Sequence, residues 1–210
     1  MESTPNTDSR TLKVDFSWKK FKTLITELNN PNPDPLYIVD WQSIKKPHLI
    51  FKSAQNDSTI GTSTFHTFSI NTDYEVHGKK GILEAQRRFK THYTYDSYAF
   101  SDTDSPVTMT WTSNCGLKTW NFVCVDEQQM PVARFSANVW AVRKMGNIEF
   151  MGERAYSDAV RDEIVVTGLS LFFCMLIRSN NILSFFGAVF SRPGHDKEAK
   201  VESDQKEHMM

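Results

Sequence analysis

The sequence predicts a mostly β domain in which a long antiparallel sheet closes around, or packs against, one apolar helix near the C-terminus. Three observations predict it. From Leu36 to about Met151, short runs rich in β-branched and aromatic residues are separated by turn signals, with no βαβ rhythm. The run Ile164 to Ile177, IVVTGLSLFFCMLI, contains no charge, and a helix apolar on every side has to be enclosed by protein or by lipid. A chain of 210 residues can bury one real core once its polar ends are discounted.

At the N-terminus, MESTPNTDSR is polar and buries too little to offset the entropy of ordering, so residues 1–14 are expected as a disordered leader. The stretch has no apolar h-region, and a cleaved secretory signal is not expected. Over residues 15–30, Trp18, Phe21, Leu24, Ile25 and Leu28 recur at three- and four-residue spacing, Ser17 stands as N-cap, and Asn29-Asn30-Pro31 stops the run. That spacing predicts a short amphipathic helix. Lys19, Lys20 and Lys22 flank its aromatic residues as in a membrane-surface helix, although packing on one end of the sheet would use the same apolar stripe. Pro31, Pro33 and Pro35 then impose an extended connector.

The strand runs follow in order: Leu36 to Val39, His48 to Phe51, Thr59 to Ile70, Tyr74 to His77, Ile82 to Ala85, Phe89 to Tyr98, Val107 to Thr112, Leu117 to Val125, Val132 to Val142 and Asn147 to Met151. Asn71-Thr72-Asp73, His77-Gly78-Lys79-Lys80-Gly81, Ser113-Asn114-Cys115-Gly116 and Met145-Gly146-Asn147 supply residues that tolerate positive φ between them. Ser157-Asp158-Ala159-Val160-Arg161-Asp162-Glu163 opens a helix over about 157–178, with its acids where the helix dipole favours them. Its apolar run, positions 164 to 177, falls short of the roughly 17 to 25 residues of a membrane crossing, which favours burial in the sheet. The alternative is a membrane anchor over residues 164–190, extended through Ile182 to Phe190; it would put Arg178 and three polar neighbours into hydrocarbon. Residues 191–210 read as a disordered charged tail.

Lys plus Arg number 24 and Asp plus Glu 25, so no global field draws the chain onto nucleic acid, which is not an expected partner. Local clusters are a different matter. Lys79-Lys80 and Arg87-Arg88-Phe89-Lys90 fall within one hairpin region, with Lys45-Lys46 and Lys52 as candidate neighbours. Such side chains hold phosphate through charge-assisted bonds, the arginines in bidentate fashion; the plainer reading is a solvated turn and strand face.

The order of a lead, many hairpins and one apolar helix resembles the tubby C-terminal-like superfamily, which includes tubby proteins, phospholipid scramblases and the LURP-one-related proteins. The residues that carry the comparison are Leu36-Tyr37-Ile38-Val39, Lys46-Pro47-His48-Leu49-Ile50-Phe51, Ile60-Gly61-Thr62-Ser63-Thr64-Phe65-His66 and Ile164 to Ile177. The resemblance covers residues 36–190 and is one of architecture, without a diagnostic motif. It implies a closed antiparallel β-barrel threaded by its C-terminal helix, and closure would remove exposed sheet edges. It also implies a non-enzymatic module that binds anionic phospholipid headgroups, or a protein partner, at a membrane surface. Lys79, Lys80, Arg87, Arg88 and Lys90 are the lipid-binding candidates on that reading. A β-barrel with an internal pocket for a small apolar ligand is the further alternative.

Catalytic and metal signatures are weak. No GxSxG, HExxH, P-loop, GxGxxG or Cys/His zinc spacing is present, so neither catalysis nor a cofactor is expected. Asp102-Thr103-Asp104 lacks the ligand spacing of a calcium loop. His48, His66, His77 and His92 lie in or beside strands, where structural hydrogen bonding is the ordinary role. Three cysteines, Cys115, Cys124 and Cys174, do not make a disulfide framework and suit a reducing cytoplasmic or nuclear setting, with peripheral membrane attachment if the resemblance holds.

Overall fold

Inward apolar and outward polar residues alternate along strand after strand, and the sheet they build closes on itself. The structure is a computed structural model that describes residues 10–17, 22–30, 34–87, 90–115, 119–138 and 144–180. Its strands are β1 (Thr11–Ser17), β2 (Lys22–Glu27), β3 (Tyr37–Trp41), β4 (Leu49–Ser53), β5 (Thr59–Phe65) and β6 (Thr72–Val76). They continue as β7 (Lys79–Ala85), β8 (His92–Ser97), β9 (Val107–Cys115), β10 (Thr119–Val125), β11 (Pro131–Asn138) and β12 (Lys144–Phe150). Each strand pairs antiparallel with the next, and β12 returns to pair with β1, which makes a closed up-and-down barrel. A 3-10 turn at Glu153–Tyr156 leads into the single helix α1 (Asp158–Asn180).

A twelve-strand barrel is wider than the eight-strand kind that side chains alone can fill, and α1 occupies the extra space. Its residues 162–174 are buried without interruption. Phe172 packs among Phe135, Trp120 and Phe173 at ring separations of 5.5, 5.8 and 5.4 Å. Gly61 of β5 faces the helix, where a Cβ would come within 2.9 Å of Val166 and 2.4 Å of the Glu75 carbonyl oxygen. The two hydroxyl side chains carried inside are satisfied: Thr167 donates to the Glu163 carbonyl at 2.8 Å and Ser170 to that of Val166 at 2.6 Å. Thr167 in turn accepts from the Trp111 indole at 3.2 Å. Enclosure by the sheet thus meets the need for a surround that the uncharged run imposes. Among the described residues, no helix is long and apolar enough to cross a membrane.

The N-terminal helix expected over 15–30 is not formed. Residues 11–17 and 22–27 are strands, so the leader expected to reach residue 14 gives way to structure by Thr11. Leu12, Val14 and Ile25 face inward with period two, while Leu24, placed on the buried face by the helical reading, is 38 % exposed. The physical reason is non-local. β1 bridges β12 and β2, and the ladders on both its edges satisfy backbone groups that a helix would have satisfied within itself. Trp18 and Phe21, along with residues 1–9 and 181–210, lie outside the described residues. Other boundaries shift as well. The run expected from Thr59 to Ile70 ends at Phe65, β6 starts within the expected Asn71 to Asp73 turn, and β7 starts at Lys79 within the expected His77 to Gly81 turn. β9 continues to Cys115, and Met145-Gly146-Asn147 lies inside β12 rather than in a turn.

Candidate functional site

Chain direction sorts the loops into two sets, one at each end of the barrel. At the upper end α1 begins, and the β4–β5, β6–β7, β8–β9 and β10–β11 connections lie beside it. At the lower end Arg178 near the close of α1 donates to the Tyr93 hydroxyl at 2.7 Å, with the β3–β4, β5–β6 and β7–β8 connections around it. The two ends differ in charge. Asp57, Asp102, Asp104, Asp126 and Glu127 sit in upper connections. The described residues of the three lower connections, 42–48, 66–71 and 86–91, hold Lys45, Lys46, Arg87 and Lys90 and no carboxylate. These lower loops are consecutive around the rim and also present Ile44 and Phe68, which are 92 % and 83 % exposed.

The sequence-predicted basic cluster is therefore divided. Lys79 and Lys80 open β7 at the upper end, and Arg87 and Lys90 follow it at the lower end, about 20 Å away at strand rise. Arg88 lies outside the described residues. Lys46 and Lys80 do line one outer groove, but Asp73 and Glu75 line it with them, so the two regions form no continuous cationic surface. Lys52 is held by Asp40 at 3.2 Å and Asp57 at 3.5 Å and is not a free neighbour. In their place, the rim carries Lys45 and Lys46 on the β3–β4 hairpin and Arg87 and Lys90 two hairpins on, together with two apolar side chains that sequence reading did not single out.

A second feature occupies the upper end. β7 and β8 share only two register pairs, Glu84↔Thr94 and Ala85↔Tyr93, where every other neighbouring pair shares at least four. Above those rungs the wall opens into a seam. Tyr74 spans it by donating to the Asp96 carbonyl at 2.9 Å, and Lys79 spans it with its ammonium 4.2 Å from the Tyr98 ring centre. Gly81 makes the first bridge possible, since a Cβ there would stand 2.4 Å from the Tyr74 ring. Behind the seam is a cavity of about 210 Å³ whose lining includes His77, Lys79, Lys80 and, from the first turns of α1, Ala159 and Glu163.

The two adjacent carboxylates of α1 fare differently here. Asp162 is saturated: the Tyr37 hydroxyl donates to Oδ1, and His77 Nε2 lies 2.8 Å from Oδ2. Arg161 donates to the same Tyr37 hydroxyl. Burial and the Asp162 charge push the Tyr37 phenol far up, which keeps it a neutral donor. Glu163 is 6 % exposed, and its Oε2 accepts the Ala99 N–H at 3.3 Å, with the Ser97 and Tyr95 hydroxyls and the Tyr98 N–H also close to the carboxyl. Its Oε1 is buried with no hydrogen-bond partner in ordinary geometry. Burial raises the Glu163 carboxyl above the usual range, against a smaller opposing effect of Ser97, the Ala99 N–H and Tyr95 nearby.

Sequence reading took Glu163 as a helix-start acid only. The signal that would have found it is its position: a helix buried from Ile164 onward has to bury the residue just before it. The remaining candidates have structural roles. His48 Nδ1 accepts the Phe65 N–H at 3.0 Å, His66 pairs with Asp73 at 3.0 Å, and Cys124 and Cys174 are free and buried. Asp102 pairs with Arg154. Among the described residues, no three His, Cys, Asp or Glu side chains converge as metal ligands. Comparison with protein-family models, curated proteins and solved structures finds no match to this chain.

Proposed function

We propose that this chain is a non-enzymatic, tubby-like barrel that docks on anionic membrane surfaces through its lower rim. The observation that carries the reading is the composition of three consecutive lower loops: Lys45, Lys46, Arg87 and Lys90 without a carboxylate, beside exposed Ile44 and Phe68. A cation near an anionic leaflet contributes about 1 kcal/mol, so four together give on the order of 4 kcal/mol, roughly three decades of affinity. Apolar tips add interfacial anchoring. The upper end, with its acids, faces away from the surface. Arg88 joins the set by sequence. Lys79 and Lys80, on the opposite end, do not. An internal pocket for an apolar ligand is disfavoured because α1 fills the interior it would need.

The test is co-sedimentation of the full chain with neutral vesicles and with vesicles containing phosphatidylserine or a phosphoinositide, at increasing salt. Binding is expected only with the anionic lipids and weakens as salt shortens the screening length. Reversing two rim charges, Arg87→Glu with Lys90→Glu, is expected to weaken it by about two to three orders of magnitude. Lys79→Glu with Lys80→Glu is expected to leave it nearly unchanged. Absence of binding to any anionic vesicle, or an equal loss from both double variants, refutes rim docking.

A further inference from the structure

We infer that the cavity in the β7–β8 seam is a binding site for a small zwitterion, whose ammonium group sits on the Glu163 carboxylate and whose anionic group meets Lys79 and Lys80. The site is at the other end of the barrel from the proposed membrane rim and stands whether or not that rim binds lipid.

The case begins with Glu163. A carboxylate buried for structure alone is expected to be surrounded by donors, because a desolvated oxygen without a hydrogen bond is costly. Asp162 next to it meets that expectation, with Tyr37 and His77 on its two oxygens. Glu163 meets it only in part: it is 6 % exposed and lines the cavity, its Oε2 accepts the Ala99 N–H at 3.3 Å and the Ser97 and Tyr95 hydroxyls and the Tyr98 N–H lie close by, yet its Oε1 has no partner within hydrogen-bond distance. An incoming donor completes its shell, and an ammonium does so with a charge-assisted bond.

The rest of the lining sets the other end of the molecule. Lys79 and Lys80 are exposed at the opening, and of the residues lining it only Asp96 adds a further carboxylate there. Two ammonium groups against one carboxylate favour an anion at the mouth, as one negative charge deeper in favours a cation. Val76, Ala99 and Ala159 between them offer apolar contact for a short hydrocarbon segment. A volume of about 210 Å³ is below the roughly 300–1,000 Å³ of drug-sized sites, so the occupant is of amino-acid size. The opening exists because β7 and β8 part above Glu84 and Ala85, and the Tyr74 and Lys79 bridges hold it at side-chain rather than ladder distance.

The experiment is isothermal titration of the full chain, in buffer without lipid, with glycine, β-alanine and γ-aminobutyrate, which step the separation of the two charges. Ethylammonium and propionate serve as single-charge probes. Saturable one-to-one binding of at least one zwitterion is expected, about tenfold or more tighter than either single-charge probe. Glu163→Gln keeps the shape but removes the charge and is expected to weaken the zwitterion by about tenfold or more. Lys79→Ala with Lys80→Ala is expected to weaken the zwitterion and leave ethylammonium unchanged. Ala159→Leu, at an exposed position on the first turn of α1, places a larger side chain at the cavity and is expected to abolish binding without touching Glu163. No heat with any of the three zwitterions overturns the inference. So does a zwitterion affinity that survives both Glu163→Gln and Ala159→Leu in protein whose tryptophan fluorescence shows it folded.

Discussion

Phe172→Ala measures how far α1 acts as the core of the barrel. The ring is 2 % exposed and touches Trp120, Phe135 and Phe173 at 5.4–5.8 Å, with Phe122 at 6.3 Å. Replacement of a buried phenylalanine by alanine costs about 3–5 kcal/mol, from lost transfer energy and from the hole left where neighbours relax only in part. The upper half of that range applies here. Four aromatic neighbours lose their edge contacts, and the walls carrying three of them are held by ladder hydrogen bonds that resist collapse. Domains of this kind are stable by about 5–15 kcal/mol, so about a quarter of the total or more is at stake. The assay is urea unfolding followed by tryptophan fluorescence, for which buried Trp111 and Trp120 are the reporters. The midpoint is expected to fall with the slope unchanged. Ile44→Ala, at a side chain 92 % exposed, is the control and is expected to move stability by less than about 0.5 kcal/mol. A Phe172→Ala loss under about 1 kcal/mol refutes the reasoning, since a helix that left the barrel for lipid would leave its unfolding unaffected.

Gly61→Val is expected to destabilise by about 1–3 kcal/mol in the same assay, because its Cβ alone would stand 2.4 Å from the Glu75 carbonyl oxygen and 2.9 Å from Val166. Tyr37→Phe removes the phenol between Arg161 and Asp162 and is expected to cost about 1–3 kcal/mol, since Asp162 Oδ1 loses its hydroxyl donor while still buried. Glu163→Gln tests the raised carboxyl through pH. Burial lifts its folded value above the unfolded one, so the folded state binds the proton more tightly. Its contribution is then full below the unfolded value near 4.5 and is lost as pH rises through the folded value. Unfolding free energy measured across that window is expected to fall with pH more steeply in the parent chain than in Glu163→Gln, with the variant the more stable at the upper end. Parallel curves for the two proteins would show that the carboxyl is not perturbed.

Much of the sheet was legible because the relevant signals are local. Tyr74 and Val76 alternate with Asp73 and Glu75 in β6, and the His77-Gly78 pair takes the positive φ values of 49° and 80° that a tight β6–β7 turn requires. The helix announced itself by an uncharged run that water could not solvate. The first two strands were missed for the opposite reason. Trp18, Phe21, Leu24 and Leu28 have helical spacing, and nothing near them in sequence discloses that β12, more than a hundred residues later, supplies the edge that turns Thr11–Ser17 into a strand. The basic cluster failed as a unit because a strand rises about 3.3 Å per residue, so Lys79 and Arg87 became opposite ends of one wall.

The sequence by itself determined that the domain is built of hairpins and encloses one apolar helix, since alternation, turn chemistry and the absence of charge act over a few residues at a time. Only the tertiary structure decided that the sheet closes with twelve strands, that β7 and β8 part near the start of α1, and which loops share an end. Those outcomes depend on pairing between segments far apart in the chain. The same closure leaves Glu163 buried with one oxygen unpartnered, a condition set by its neighbours in space and not by its neighbours in sequence.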